Sequence, residues 1–382
     1  RRVSENNWIV NVKWFGAVGD SATNDNTAIQ AAVSFCKDST NATLYFPKGK
    51  YRYTSTISFY KPVNLAIKDD GMHNTYLFPV NVTGIRIRTD STTTVIHPIY
   101  GVWDGRDLQI KDLTIIRSGA NNFNGKIQGI DLRGGFNKKL TNVRVEEFFG
   151  QGGTGQGSIG IRLWPTLATD DATQHTILEN VFVTECDTGI VSRLQNTLVF
   201  HDVKIDQCKD VGLATSNGLF WNNGMCQGNE NAGVWLRNSD PFVLGLVIIN
   251  NVHFEANASV APKWGGIYKN DNVDMSNLSI TNCLLSSPGN THMIRLRRVQ
   301  HAEITNNRYS GSATTDTISL TSFYDVRFGN DNYTALKLLT SDAYITLLNG
   351  TAATNDEYVG LTVGAAAAGK NVGNFAGRVA VG

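Results

Sequence analysis

One pattern governs this chain: an apolar strand, a polar Asn or Asp, a second apolar strand, a turn, then a glycine leading a third apolar strand. One copy is Ile177-Leu178-Glu179-Asn180-Val181-Phe182-Val183, closing on Gly189-Ile190-Val191. The next is Val199-Phe200-His201-Asp202-Val203-Lys204-Ile205, closing on Gly212-Leu213-Ala214. A later one is Ile248-Ile249-Asn250-Asn251-Val252-His253-Phe254, closing on Gly266-Ile267-Tyr268. The polar anchor recurs at Asp112, Asn142, Asn180, Asp202, Asn223, Asn251, Asn282, Asn306 and Asn330, at steps of 30, 38, 22, 21, 28, 31, 24 and 24 residues. Constant strands at variable steps describe a regular coil interrupted by loops of different length. A single rung cannot bury its apolar face, so neighbours must stack into one continuous core. The pattern predicts an all-β fold, a right-handed parallel β-helix (solenoid), with the anchors bonded from rung to rung as an amide ladder. A β-sandwich is the competing fold. It would need regular hairpin turns, and Asp70-Gly71 and Asp104-Gly105 follow no regular spacing.

Composition fits the coil. The 382 residues suffice for one large core or two ordinary domains. Charged residues, at 18%, fall below the usual quarter, and Asn, Thr, Ser and Gly fill the gap, which suits turn-rich β-structure. A net charge of +1 gives no global attraction to nucleic acid. No run of about 18 apolar residues exists, so no membrane insertion is expected. The chain opens on Arg1, the start expected of a fragment or a processed chain, and Arg1-Arg2-Val3-Ser4-Glu5 lacks the apolar stretch of a secretion signal. Cys36, Cys186, Cys208, Cys226 and Cys283 form an odd set without close pairing, expected as buried thiols. Cys186 and Cys208 occupy equivalent positions and should stack inside. No metal-ligand spacing is visible, and no metal or cofactor is expected.

A solenoid needs caps over its end rungs. Thr27 to Cys36 has helical spacing of apolar residues, with Asp25 or Asn26 as N-cap, and predicts a short helix over the first rung. Ala42 to Tyr51 reads as strand, turn, strand. Residues 1–50 are therefore read as the N-terminal cap and first strands, 51–335 as the β-helix, and 336–382 as a C-terminal extension for trimer packing or linkage. Gly364-Ala365-Ala366-Ala367-Ala368-Gly369 in that tail is small and featureless.

Val12-Lys13-Trp14-Phe15-Gly16-Ala17-Val18-Gly19-Asp20, then Asn24 to Ala32, then Leu44-Tyr45-Phe46-Pro47-Lys48-Gly49-Lys50-Tyr51, resembles the opening of the pectate-lyase-like superfamily. Phage tailspikes and capsule depolymerases carry this opening. The match is close over about the first fifty residues and extends loosely, through the rungs, to about residue 335. It is specific for fold and weak for reaction, because lyases, hydrolases, epimerases and inactive adhesins share it. The resemblance implies a homotrimer in a virion tail, beside other tail or baseplate proteins, acting on a bacterial surface polysaccharide.

Alternate strand residues face outward. After the anchor, the first outward position reads Arg144, Phe182, Lys204, Met225, His253, Leu284 and Arg308, and the second reads Glu146, Thr184, Asp206, Gln227, Glu255, Ser286 and Ser310. On the third strand the outward residues include Asp131, Arg162, Trp164, Arg193, Trp235, Arg237, Tyr268, Arg295 and Arg297. Aromatic faces stack on sugar rings and arginine forks bind carboxylates. The expected substrate-binding set is Trp164, Arg162, Arg193, Trp235, Arg237, His253, Lys204, Tyr268 and Arg295. A solvated or subunit-interface face uses the same residue types.

Glycoside hydrolysis needs two carboxylates flanking the scissile bond. Asp206 and Glu255 share a column two rungs apart, with Glu146 two rungs to the other side. In this reading Glu255 is the general acid, raised by apolar neighbours such as Trp264, and Asp206 activates water. An acid ending an inner strand also bonds neighbouring turns. The longest insertion, Pro165 to Thr176, adds Asp170, Asp171 and His175 as further candidates. A lyase acting by β-elimination would instead draw on Lys204, His253, Arg237, Tyr268 and Arg295, and a non-catalytic adhesin would use the face for binding alone. Gly150 to Gly157 is glycine-rich but lacks the Lys-Ser/Thr ending and following helix of a phosphate loop, and reads as a lid or tight turn.

Overall fold

The computed structural model describes residues 8–37, 41–88, 106–118, 126–150, 157–164, 174–193, 197–216, 218–237, 244–258, 265–269, 272–286, 292–310, 318–329, 336–339, 344–348 and 361–363. The fold is a right-handed parallel β-helix, and the chain forms two compact units, Arg1–Lys209 and Asp210–Gly382. In the first unit the long strands Arg106–Ile116, Phe136–Glu146, Gln174–Thr184 and Leu198–Asp206 pair in parallel, each on the next. The short strands Ile57–Tyr60, Ile85–Arg88, Gln128–Arg133, Ile159–Trp164 and Thr188–Ser192 stack likewise. In the second unit Val211–Thr215, Ala232–Leu236 and Gly265–Lys269 stack onto Ile294–Thr305, and Leu219–Gln227 pairs with Leu244–Glu255. Parallel pairing in that unit runs on through Leu336–Leu339, Tyr344–Leu348 and Leu361–Val363, while the stretch 364–369 lies outside the described residues.

The anchors explain themselves in the backbone. Asp112, Asn142, Asn180 and Asp202, and in the second unit Asn223, Asn251, Asn282 and Asn306, all have φ between 49° and 64°. Asn and Asp tolerate this left-handed conformation better than other side chains with a Cβ. The anchor therefore bends each long run into two arms. The amide ladder is present: Asn142 Nδ2 donates to Asp112 Oδ1 at 2.7 Å, Asn180 Nδ2 to Asn142 Oδ1 at 2.8 Å, and Asn251 Nδ2 to Asn223 Oδ1 at 2.6 Å. Asn282 departs from the expected ladder and donates to Asn250 Oδ1, one residue before the anchor, at 2.8 Å. Asn330 lies outside the described residues.

A second left-handed corner was not legible. It falls on Glu147, Glu185, Gln207 and Ala256, residue types that give no turn signal. Backbone bonds hold it instead: Glu147 N–H donates to Thr184 O, Glu185 N–H to Asp206 O and Ala256 N–H to Ser286 O.

The core is a set of in-register columns. Ile110, Leu140, Leu178 and Phe200 form one, and Ile85, Ile130, Ile161 and Ile190 another, all fully buried. In the second unit Leu213, Val234, Ile267 and Ile294 do the same. Each such side chain contributes about 1.5–3 kcal/mol on burial. The glycine of the repeat is required by close approach: a Cβ at Gly160 would sit 2.4 Å from Val183 Cγ1 and 2.7 Å from Gly189 O. All five cysteines are free and buried, Cys186 and Cys208 among them, and burial with the neighbouring Cys208 pushes the Cys186 thiol well up.

The cap is the α-helix Asn26–Lys37, which buries Ala28, Ile29, Ala32, Val33 and Cys36. Its start differs from the expected side-chain cap. The Asp25 carboxylate accepts from the Val18 and Gly19 amides at 2.6 and 3.1 Å, and Asn26 Oδ1 accepts from Thr54 N–H, so both side chains tie loops to the helix start. Asn24 Oδ1 accepts from the Asn26 amide instead. Strands Ala42–Phe46 and Gly49–Tyr53 follow, as expected.

Candidate functional site

Register decides which side chains meet outside the coil, since a slip of one residue would move every side chain to the other face. On the short strands of the first unit one outward column runs Ser58, Arg86, Asp131, Arg162 and Val191. The column beside it runs Tyr60, Arg88, Arg133 and Trp164. Asp131, expected on the open face, is fully buried, because three guanidiniums close over it. Arg162 forks onto it through Nε and Nη2, both at 2.8 Å. Arg86 Nε donates at 3.0 Å, and Arg133 Nε reaches both oxygens at 3.2 and 3.1 Å. Burial alone would raise this carboxyl; the hydrogen bonds and charges of Arg162 and Arg133 outweigh it and hold the group below the usual carboxylate range. Arg162, predicted for substrate, therefore spends one fork on Asp131.

The aromatic members of the face carry cations. The Arg193 guanidinium stands 5.0 Å from the Trp164 ring centre. In the second unit Trp235, Tyr268 and Arg295 stand in register, with Arg237 4.8 Å from the Trp235 ring and Arg295 5.8 Å from that of Tyr268. Tyr268, expected to be open, is buried, since it packs within this stack.

The acid columns have the expected register in each unit. Glu146, Thr184 and Asp206 pair in the first, and Gln227, Glu255, Ser286 and Ser310 in the second. Glu146 is ion-paired with Arg144, whose guanidinium lies 4.7 Å from the Phe182 ring. Lys204 is exposed, whereas Asp206, expected to be open to water, is buried at the strand end. Glu255 is exposed, with its Oε2 3.7 Å from His253 Nε2. Asp206 belongs to the first unit and Glu255 to the second. Within its own unit the carboxylate in column with Asp206 is Glu146, two rungs away, so their backbones are roughly 10 Å apart. Asp170, Asp171 and Trp264 lie outside the described residues, and His175 is an exposed ring edge-on to Phe136 at 5.3 Å.

The two ends of the glycine-rich stretch are tied to one carboxylate. Gly150 and Ser158 amides both donate to Asp187 Oδ2, at 2.5 and 2.7 Å. A Cβ on Gly157 would fall 1.6 Å from that oxygen. Residues 151–156 are not described. Among the described residues no three or more His, Cys, Asp or Glu side chains gather as a metal site would require, and no helix is long and apolar enough to cross a membrane.

Sequence reasoning missed Arg86, Arg88 and Arg133. For Arg86 and Arg88 the signal was the alternation Ile85-Arg86-Ile87-Arg88, but that strand precedes the first polar anchor at Asp112, so no aligned rung contained it. Arg133 alternates outward two residues after Asp131 on Gln128–Arg133, and that period was the signal for it.

Residues 9–66 match the family model described as rhamnogalacturonase A/epimerase, pectate lyase-like. The mannuronan C5-epimerase AlgE3 of Azotobacter vinelandii is 27% identical over 239 residues, covering 59% of this chain and 12% of that protein. The chain thus spans a small part of that relative's length. The Dettilon tailspike protein (gp208) superposes with a TM-score of 0.55 at 12% identity, covering 86% of this chain and 62% of that one. The family 28 exopolygalacturonase of Yersinia enterocolitica gives 0.53 at 10% identity, covering 93% and 78%. At such identities the likeness is one of fold. The chain thus joins a pectate-lyase-like opening segment to a right-handed parallel β-helix.

Proposed function

We propose that this protein binds and cleaves a bacterial surface polysaccharide, as a tailspike-type depolymerase working in a virion tail as a homotrimer. The observation that carries the reading is the outward arginine and aromatic residues on the short strands, with Trp164 beside Arg193, Trp235 beside Arg237 and Tyr268 beside Arg295. Stacked rungs repeat at about 4.8 Å, so within each unit such a face offers a linear polymer the same contacts again and again. The likeness to a mannuronan epimerase, an exopolygalacturonase and a tailspike supports a polymeric glycan as substrate.

For the reaction we favour hydrolysis by carboxylates. Glu146 and Asp206, on one column of the first unit, are spaced so that side chains can reach the roughly 6.5–9.5 Å of an inverting pair. Asp206 would activate water. Glu255, beside His253, is the second unit's candidate acid, and Asp170 and Asp171 stay candidates from sequence. A lyase is the second reading, in which the exposed Lys204, or His253, would be the base and outward arginines would neutralise a uronate.

The test is incubation with capsule or lipopolysaccharide while polymer size, reducing ends and ultraviolet absorbance are followed. Hydrolysis gives shorter chains and new reducing ends without absorbance. A lyase adds an absorbing unsaturated product. Binding with unchanged polymer size leaves an adhesin. Asp206→Asn, Glu146→Gln and Glu255→Gln should each lower the hydrolytic rate 100-fold or more if the residue acts in the chemistry; full activity in all three removes the carboxylate mechanism.

A further inference from the structure

Two adjoining columns of the first unit make a more specific arrangement than a general sugar-binding face. In register across four successive rungs stand Tyr60, Arg88, Arg133 and Trp164: two arginines one rung apart, bracketed by two aromatic rings. Tyr60 is exposed and Trp164 half-buried, and each ring carries a cation nearby, Lys61 at 5.5 Å and Arg193 at 5.0 Å. The neighbouring column, Arg86, Asp131 and Arg162, acts as a brace. Asp131 is buried and holds Arg86, Arg162 and Arg133 at once. Three arginines hold this one carboxylate, and Arg88 stands in register beside Arg133, so the guanidiniums on these two columns outnumber the carboxylate that braces them.

We propose that Tyr60, Arg88, Arg133 and Trp164 form a binding subsite for a carboxylated, uronate-type stretch of the polysaccharide, with Asp131 as the positioning residue that fixes the Arg133 fork. The proposal rests on reading this face as polysaccharide-binding. The chemistry follows from geometry. Arginine is planar and forks onto a carboxylate with two parallel bonds, a match a lysine cannot make. Arginines one rung apart, about 4.8 Å, suit anionic groups repeated along an extended chain. The two rings add contacts to the sugar faces that carry no charge preference. Asp131 supplies preorganisation, because a guanidinium already held in place loses less entropy when its ligand arrives.

The test measures binding by the full chain of three probes: polygalacturonate oligosaccharides, the same oligosaccharides with carboxyls reduced to alcohols, and a sulfated glycan of similar length. The unmodified protein should bind the carboxylated probe at least tenfold more tightly than the reduced one, and more tightly than the sulfated one. Arg88→Gln and Arg133→Gln should each weaken the carboxylated probe about tenfold or more, the size of one charge-assisted bond, and leave the reduced probe unchanged. Arg133→Lys should not rescue. Asp131→Asn should lower the preference for carboxylate over sulfate while steepening the dependence on salt, because it adds net positive charge and loosens the forks; a merely structural role would weaken all three probes together. Tyr60→Ala should weaken carboxylated and reduced probes alike. Equal binding of the carboxylated and reduced probes, or indifference to both arginine variants with melting temperatures unchanged, overturns the proposal. In those outcomes the wider reading of a glycan-binding face survives. No binding of any probe overturns this subsite, and activity on capsule then decides the wider reading separately.

Discussion

Both units set arginines beside rings, as Arg193 beside Trp164 in the first, but the first unit adds a second means of holding them, a carboxylate clamp. In the first, Arg86, Arg133 and Arg162 converge on one buried carboxylate, Asp131. In the second, Arg237 and Arg295 lie beside the rings of Trp235 and Tyr268. A buried carboxylate clamp fixes direction but becomes a liability if the carboxylate is lost, because three part-buried guanidiniums are then left uncompensated beside one another. A ring holds a cation with about 0.5–2 kcal/mol and no such penalty. The first unit should therefore be the brittle one and the second the tolerant one.

The sharpest way to break this contrast is Asp131→Ala. Removing one partner of a buried ionic cluster costs about 3–5 kcal/mol, and denaturant unfolding should register it. The pH dependence follows from the lowered carboxyl. A depressed folded-state value gives stability that is present above the ordinary carboxylate range, near pH 4, and is lost as pH falls through the folded value. Acid titration of stability should therefore lose this component in the unmodified protein, and Asp131→Asn should have lost it at every pH. A cost under about 1 kcal/mol for Asp131→Ala would show that the arginines are solvated well enough to do without the clamp.

The next effect has the opposite sign. Both units bury a lysine at the turn that leaves a short strand: Lys138 Nζ donates to Gly134 O at 2.8 Å, and Lys269 Nζ to Val273 O at 2.6 Å. Burial pushes Lys138 down from 10.5 to about 7. With a depressed lysine the unfolded chain binds the extra proton, so the penalty accrues as pH falls from about 10.5 to about 7 and is constant below. Lys138→Met should stabilise the protein near neutral pH by about 2–4 kcal/mol, allowing for the lost bond to Gly134 O. The gain should shrink steadily as pH rises toward 10, a trend that thermal melts at several pH values would check.

The corners test what the two units share. Asn142→Ala and Asn251→Ala each remove a ladder amide and place a Cβ residue without a local hydrogen bond in the left-handed region. About 1–2 kcal/mol should be lost in each case, with Asn→Gly at the same sites costing less. Equal losses would show the ladder to be a general device. A larger loss at Asn142 would add to the brittleness of the first unit.

These corners also show what sequence could tell. The anchor was legible because a left-handed corner with room for a stacked amide selects Asn or Asp, and the core columns were legible because a coil demands apolar residues at period 2. Glu147, Glu185, Gln207 and Ala256 occupy the same backbone region, with backbone bonds donated by Glu147, Glu185 and Ala256, so composition carried no trace of them. The outward register was likewise readable from the anchor, and Glu146, Thr184 and Asp206 pair as that register requires. What register could not give was accessibility. Asp131 alternates outward yet disappears under three guanidiniums, and Tyr268 alternates outward yet is buried. Long arginine side chains fold back over their neighbours and cover them, a choice that period 2 does not encode.

The smallest effect concerns the tolerant unit. Arg237→Ala and Arg295→Ala should each cost about 0.5–1 kcal/mol in unfolding experiments, the worth of a partly exposed cation beside a ring. Polysaccharide affinity should fall by more than stability does, because truncation removes a fork that the ring had already aligned for an anion. The ratio of these two losses separates binding from scaffolding: a residue that only props the coil lowers stability and affinity together. Should Arg237→Ala cost as much stability as Asp131→Ala, ring stacking and carboxylate clamping would be equivalent supports, and the contrast between the two units would fall.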